Sequence, residues 1–320
     1  MATGATLHRP VLLTELLGAL AVRPNGTYVD ANLGGGGHAE AVLEASGPSG
    51  LLLGIDADGG AIEMSRVRLA HFGERLSTFH GSSAHLARAI TDAGFSEVDG
   101  VYFDLGLSSD QLVDRERGFG IRAGGLLDLR FDTRSGESAA ELIAQASAAE
   151  LEQIFRDYGE EPHASKIARA IVATRASAPI TTAEQLAALV EQSVPKRYGP
   201  PSRIHPATRV FQALRIAVND ELTALSTALA AAIAALRVGG RVVVLTYHSL
   251  EDRIVKQFIA QHAREVYDRR APFAPPQVMD FKAVQRIKPS EQEIANNPRA
   301  RSAILRVAER LPLPQYEALA

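Results

Sequence analysis

Four consecutive glycines and three aspartates carry the clearest chemistry in this chain of 320 residues. Gly34-Gly35-Gly36-Gly37 follows the apolar run Tyr28-Val29-Asp30-Ala31-Asn32-Leu33 and precedes a stretch that reads as a helix. Glycines in sequence let the backbone turn sharply and bring a ligand against main-chain N–H groups with no Cβ in the way. A turn that only reverses the chain needs one or two of them. Asp56 lies near the spacing expected of an acid that accepts hydrogen bonds from an adenosine ribose. Gly34, Gly36 and Ala39 also satisfy G-x-G-x-x-A, so a nicotinamide dinucleotide and an adenosine sulfonium both suit the loop up to this point.

Two further acids separate those chemistries. Asp30 stands four residues before Gly34, where it would repel a pyrophosphate but orient a cationic amino-acid group. Asp104, in Val101-Tyr102-Phe103-Asp104-Leu105-Gly106, falls at a strand end, where methyl-transferring enzymes place a polar residue beside the transferable methyl. Ser108 and Ser109 follow closely; they either shape an amine site or cap a turn. Farther on, Tyr247-His248-Ser249-Leu250-Glu251-Asp252-Arg253 offers a base, hydroxyls and an aromatic ring able to stack on an unstacked nucleobase. His248 there reads either as a catalytic group or as a structural strand-end histidine. Lys196, Arg197, Arg203, Arg209 and Arg215 form a basic run broken by Pro and Gly, suited to phosphate contact or to a solvated hinge.

These residues need a scaffold that brings strand ends together. The first hundred residues alternate short apolar runs with helical patterns, which predicts βαβ units and a parallel sheet. Strands are expected at 26–30, 51–56, 76–80 and 98–105, with the ligands at their carboxyl ends. From about Asp114 to Arg209 the strand pattern disappears. Ser138, Ser147 and Thr182 each begin a capping-box sequence there, which predicts an inserted helical segment. Asn219-Asp220-Glu221 opens a long apolar helix that stops at Val238-Gly239-Gly240, and strands are expected again over 241–247 and 303–308. The Pro-rich, basic stretch 268–289 reads as an exposed loop. The expected division is a sheet domain from 1–113 and 210–320 and a helical substrate-recognition domain over 114–209.

Composition agrees with a soluble globular protein: 46% of residues are hydrophobic and 22% charged. There is no cysteine, which excludes disulfides and thiolate chemistry, and the nine histidines show no metal-ligand spacing. The opening MATGATLHRPVLL lacks the pattern of a signal peptide, and the apolar run 222–236 is shorter than the roughly 20 residues of a membrane span. A cytoplasmic protein with no membrane and no metal is expected. The net charge of −3 conceals an asymmetry, because residues 196–310 hold 19 Lys and Arg against 10 Asp and Glu. Such a region can attract a nucleic-acid backbone.

Several ordered blocks resemble one family. His8-Arg-Pro-Val-Leu-Leu, Gly34 to His38, Asp104-Leu-Gly-Leu-Ser-Ser109, Arg117-Gly-Phe, Leu127-Asp-Leu-Arg130, Tyr158-Gly-Glu-Glu, His205-Pro-Ala-Thr-Arg209, Tyr247 to Arg253 and Asn297-Pro-Arg-Ala-Arg301 are similar to the small-subunit ribosomal RNA methyltransferase H, or MraW, family, over nearly the whole chain. The resemblance implies an α/β fold with a Rossmann-like class I methyltransferase sheet and a helical insertion. It implies S-adenosyl-L-methionine as cofactor and N4 methylation of a cytosine in the decoding region of 16S rRNA, within the assembled small ribosomal subunit. It also implies a cofactor pocket of Gly36, Gly37, His38, Asp56, Ser83, Asp104 and Gln111, with Ser83 standing where relatives carry an aromatic residue. The Asp/Asn/Ser-Pro-Pro-aromatic sequence of many amino-methyltransferases is absent after the fourth strand. Asp104, Ser108, Ser109 and His248 are therefore the candidates for the amine site, and Arg209, Tyr247, Ser249 and Arg253 the candidates for substrate contact. Tyr247 replaces a phenylalanine of some relatives, a change that adds only a hydroxyl. Which group takes the amine proton stays open at this level.

Overall fold

Runs such as Leu-Leu-Leu-Gly-Ile-Asp and Val-Asp-Gly-Val-Tyr-Phe-Asp have no polar face, so their strands must be covered on both sides. A computed structural model describes residues 10–121, 125–195, 205–263 and 279–312. In it the chain divides into two units, residues 1–106 with 222–320 and residues 107–221. The first contains α1 (Leu13–Leu20), β1 (Thr27–Asp30), α2 (Gly37–Ala45), β2 (Leu51–Asp56), α3 (Gly59–Arg68), β3 (Leu76–His80), α4 (Leu86–Asp92) and β4 (Val98–Asp104). The second contains α5 (Ser109–Val113), α6 (Ala139–Gln145), α7 (Ala148–Asp157), α8 (Ala164–Arg175), α9 (Ala183–Ser193) and α10 (Thr208–Asn219). After α11 (Glu221–Ala235) the sheet resumes with β5 (Leu236–Thr246), α12 (Ser249–Ala263), β6 (Phe281–Ile287), α13 (Glu291–Asn296) and β7 (Ile304–Arg310).

The strands form one sheet in the order β3-β2-β1-β4-β5-β7-β6. Strands β1 to β5 pair in parallel, and β7 runs antiparallel between β5 and β6. This reversed strand departs from the order 3-2-1-4-5-6 of dinucleotide-binding sheets. Helices α4, α11 and α12 bury Leu86, Leu229, Val255 and Ile259 on one face of the sheet, while α1, α2 and α3 bury Leu16, Leu43 and Ile62 on the other. The parallel register sets Asp30 beside Tyr102, Asp56 beside His80 and Asp104 beside Leu245, so all three aspartates stand at the carboxyl edge.

Strand β6 lies inside the stretch expected to be a loop. Phe281 is buried, but Lys282, Ala283, Gln285 and Arg286 are exposed, as an edge strand with one neighbour permits. Its charged residues hide the strand from a hydrophobic pattern. β5 also begins earlier than expected, at Leu236, through Gly239 and Gly240.

In the helical unit the three expected capping boxes are present. Ser138, Ser147 and Thr182 accept the backbone N–H of Glu141, Glu150 and Gln185, whose side chains return the bond. The unit begins at Leu107 and ends at Glu221, wider than 114–209, because Leu107, Leu112 and Val218 pack against its core of Leu151, Phe155, Ile167 and Leu186.

Candidate active site

The glycine run departs from β1 and enters α2 at Gly37. Gly34 and Gly36 have φ of +50° and +75°, a left-handed conformation that disfavours any side chain. A Cβ on Gly36 would also stand 3.0 Å from Ser65 Oγ and 3.2 Å from Leu69 Cδ1. The loop is fixed from outside itself. Gly34 N–H donates to Asp56 Oδ2 at 2.8 Å, and the buried Ser65 hydroxyl donates to the Gly34 carbonyl at 2.7 Å. Asp56 Oδ1 accepts the Asp58 N–H at 2.8 Å, so each carboxylate oxygen holds one backbone donor and keeps capacity for another. Burial pushes the Asp56 pKa up to about 6, against the pull of those two N–H groups. Between β1 and the glycines, Asn32 Oδ1 is buried and has no hydrogen-bond partner among the described residues.

A second cluster centres on Asp104, the last residue of β4. Its Oδ1 accepts the Tyr247 hydroxyl at 2.6 Å, and its Oδ2 lies 3.2 Å from His38 Nδ1. The other ring nitrogen of His38, Nε2, lies 3.0 Å from the Val11 carbonyl. A carbonyl only accepts, so Nε2 carries a hydrogen; a neutral ring would then turn a bare Nδ1 toward a carboxylate. Both ring nitrogens thus face acceptors, an arrangement that favours the protonated ring. Burial opposes charge on His38, but the hydrogen bond and charge of Asp104, with Asp30, raise its pKa overall. Asp30 is buried and pushed up to about 7 by that burial, with Tyr102 and His38 pulling the other way. Burial also holds the Tyr102 and Tyr247 phenols well above their ordinary range, so both stay protonated.

The sequence profile of the MraW methylase family matches residues 5–311. The chain belongs to this family. It is 51% identical over 313 residues to the ribosomal RNA small subunit methyltransferase H of Thermomicrobium roseum, covering 96% of this chain and 94% of that one. With the enzyme of the same name from Methylibium petroleiphilum it shares 50% over 309 residues, covering 96% of each. Among solved structures, an rRNA methylase from Streptococcus thermophilus is 13% identical, with a TM-score of 0.42 over 96% of this chain and 100% of that one. The methyl donor is S-adenosylmethionine. The residues present fit it: a left-handed loop without side chains, an orphaned Asn32 oxygen and a strand-end carboxylate with spare acceptor capacity.

The remaining expected residues of this methylase are distributed as follows. Gly36, Gly37, His38, Asp56 and Asp104 stand at the carboxyl edges of β1, β2 and β4. Ser83 follows β3 in a short turn whose cap is Ser82, and it is half-buried. Ser108 and Gln111 cap α5 reciprocally: Ser108 Oγ accepts the Gln111 N–H at 3.1 Å and Gln111 Oε1 accepts the Ser108 N–H at 3.0 Å. Ser109 is the first residue of that helix. Tyr247 follows β5. His248 turns both ring nitrogens to its own helix, Nε2 lying 3.0 Å from Glu251 Oε1 and Nδ1 3.5 Å from the Glu251 N–H. Glu251 is itself buried and accepts the Tyr247 N–H at 2.8 Å, so this glutamate anchors the segment. Ser249 and Arg253 are exposed on the first turns of α12.

The basic run needs correction. Arg215 is bound through two nitrogens to Glu221 at 2.7 and 2.9 Å, both side chains largely buried, so it is not a phosphate ligand. Arg209 is exposed and donates to the Glu160 carbonyl at 3.0 Å. Lys196, Arg197 and Arg203, and likewise His8, lie outside the described residues. Among the described residues no group of three or more His, Asp or Glu could hold a metal, and no single helix is long and apolar enough to cross a membrane. Sequence reasoning missed Asn32 and Ser65 as site residues. Asn32 alone left a signal, its place between Asp30 and the glycines.

Proposed function

We propose that this methylase transfers the methyl group of S-adenosylmethionine to the N4 amine of a cytosine in the decoding region of 16S rRNA, acting on the assembled small ribosomal subunit in the cytoplasm. The observation that carries the reading is Asp104, a 26% exposed carboxylate at the end of the central strand, aimed by Tyr247 on one oxygen and His38 on the other. The names of relatives half identical over almost their whole length support the choice of RNA.

The cofactor supplies an electrophilic methyl on a sulfonium. Cytosine N4 is a weak nucleophile because its lone pair is delocalised into the ring. The protein's contribution is then alignment and an acceptor on the amine. In this reading the N–H groups of the glycine loop and Asn32 hold the amino-acid end of the cofactor, Asp56 accepts the ribose hydroxyls, and Ser83 borders the adenine. Asp104 keeps acceptor capacity beyond its two partners and takes the hydrogen bond of the amine. Its donors hold it in place as the amine approaches. Ser108 orders the chain that follows through its cap on α5. Arg209, Ser249 and Arg253 offer exposed polar groups for RNA.

Nucleoside mass spectrometry of small-subunit RNA from cells lacking the gene tests this. The expected result is loss of N4-methylated cytidine, restored by the wild-type gene and not by Asp104→Asn. An unchanged nucleoside profile would overturn the proposed substrate.

A further inference from the structure

The outer end of the sheet carries a charge imbalance that the methyl-transfer site does not use. Arg286 on β6 and Arg306 on β7 are direct partners in the antiparallel register. Their side chains share the face covered by α12, because Ala308, two residues from Arg306, packs with Val255 and Ile259. Like charges placed opposite each other on neighbouring strands are unfavourable. One carboxylate offsets them. Asp252, on the first turn of α12, binds Arg306 through both oxygens at 2.7 and 3.0 Å. Lys256, one turn farther along α12, adds a third positive charge near the same carboxylate. Both Lys256 and Arg286 are exposed and have no hydrogen-bond or ion-pair partner among the described residues.

The other end of the same strand pair is different. There Lys282 and Arg241 share Glu309 at 2.7 and 2.9 Å, so each cation has a carboxylate partner. The end with Lys256 and Arg286 is the one nearer the reaction. Ile304, two residues before Arg306, pairs with Thr246, which precedes Tyr247. The Asp252 N–H bonds the His248 carbonyl at 3.1 Å. By strand rise and helix pitch, the cluster lies on the order of 10 Å from the Tyr247 backbone.

We propose that Lys256 and Arg286, with Arg306 held between them by Asp252, form a phosphate-binding site for the RNA strand flanking the methylated nucleotide. This rests on the reading of RNA as substrate and adds a backbone contact at the edge of the sheet. A phosphate there relieves the repulsion across β6 and β7 and releases counterions, while the guanidinium fork of Arg286 suits a phosphate oxygen pair.

The test compares K256Q/R286Q with wild type and with K166Q, a change at an exposed position on α8. Binding to small ribosomal subunits from cells lacking the gene is measured across a salt series, together with methyl transfer and affinity for S-adenosylhomocysteine. The double variant is expected to bind subunits about tenfold more weakly. Its log-log salt slope should fall by up to about 0.7 for each lost contact. KM for subunits rises, while kcat at saturation and cofactor affinity stay at the wild-type values. The charge-conserving K256R/R286K is expected to restore binding, and K166Q to leave it unchanged. An unaltered slope in K256Q/R286Q, or failure of K256R/R286K to restore binding, would overturn the site and leave the function standing. Wild-type protein that neither binds nor methylates the subunits would overturn the function itself.

Discussion

Strand β4 carries an aspartate near each end, and the two live in opposite circumstances. Asp99, at the amino end, is buried, accepts the Thr27 N–H at 2.8 Å and is paired with Arg23 and Arg237. Two guanidiniums neutralise it, and it ties α1's exit, β1 and β5 together. Asp104, at the carboxyl end, is partly open and meets a phenol and an imidazole instead. Neither partner carries a permanent charge. The same side chain is thus a rivet at one edge of the sheet and the proposed amine acceptor at the other, and the difference lies in the partners rather than in the strand.

The largest expected effect falls on the rivet. Asp99→Ala leaves two cations around a buried gap, and urea unfolding should show a loss of about 3–5 kcal/mol, with methyl transfer per folded molecule retained. Loss of turnover without loss of stability would erase the contrast between the two ends. Asp104→Asn should do the reverse. Single-turnover methyl transfer is expected to slow on the order of 10²–10³-fold with little change in unfolding midpoint; a variant that keeps a third of the wild-type rate would demote Asp104 to a structural role.

Asp30 sharpens the comparison through pH. Its folded pKa of about 7 lies above its ordinary value of 3.8, so the folded state keeps a proton that the unfolded chain releases. The stability it contributes is full below about 4 and is lost as pH rises through about 7, at up to about 1.4 kcal/mol per unit. Asp30→Asn should flatten that part of the stability profile measured from pH 4 to 8, and an unchanged profile would mean that burial does not hold the proton. Asp56→Ala is expected to weaken S-adenosylhomocysteine binding by roughly 1–3 kcal/mol, since it removes the proposed ribose acceptor and frees the Gly34 N–H together. Titration calorimetry showing wild-type affinity would assign the loop's geometry to Ser65 alone. The smallest effect is reserved for Tyr247→Phe. Removing a hydroxyl bonded to a carboxylate should cost about 1 kcal/mol, a severalfold drop in kcat with cofactor affinity unchanged; a parallel drop in cofactor affinity would place the hydroxyl in the binding pocket rather than behind Asp104.

Much of the sheet was legible because its signals are local. The strands at 51–56 and 76–80 have the expected bounds, and the helix caps at Ser138, Ser147 and Thr182 need only residues three positions apart. The glycine run announced a left-handed loop, and the strand-end positions of Asp30, Asp56 and Asp104 followed from the βαβ pattern. Strand β6 escaped because an edge strand needs one buried face and here displays Lys282 and Arg286 outward.

The amino-acid sequence by itself determined the family, the parallel sheet, the helical insertion and the acids at the strand ends, since each depends on neighbours close in the chain. Only the tertiary structure decided what those acids meet. Tyr247 reaches Asp104 across 143 positions because β4 and β5 are adjacent, and a hydroxyl that reads as a mild addition becomes a donor to the central carboxylate. Arg215 reads either as a phosphate contact or as part of a solvated hinge until Glu221 is found to pair with it, whereas Arg286, in a stretch that reads as loop, stands opposite Arg306 with no ion-pair partner among the described residues. Charge is written along the chain, but its compensation is a matter of distance, and distance is set by the order of the strands.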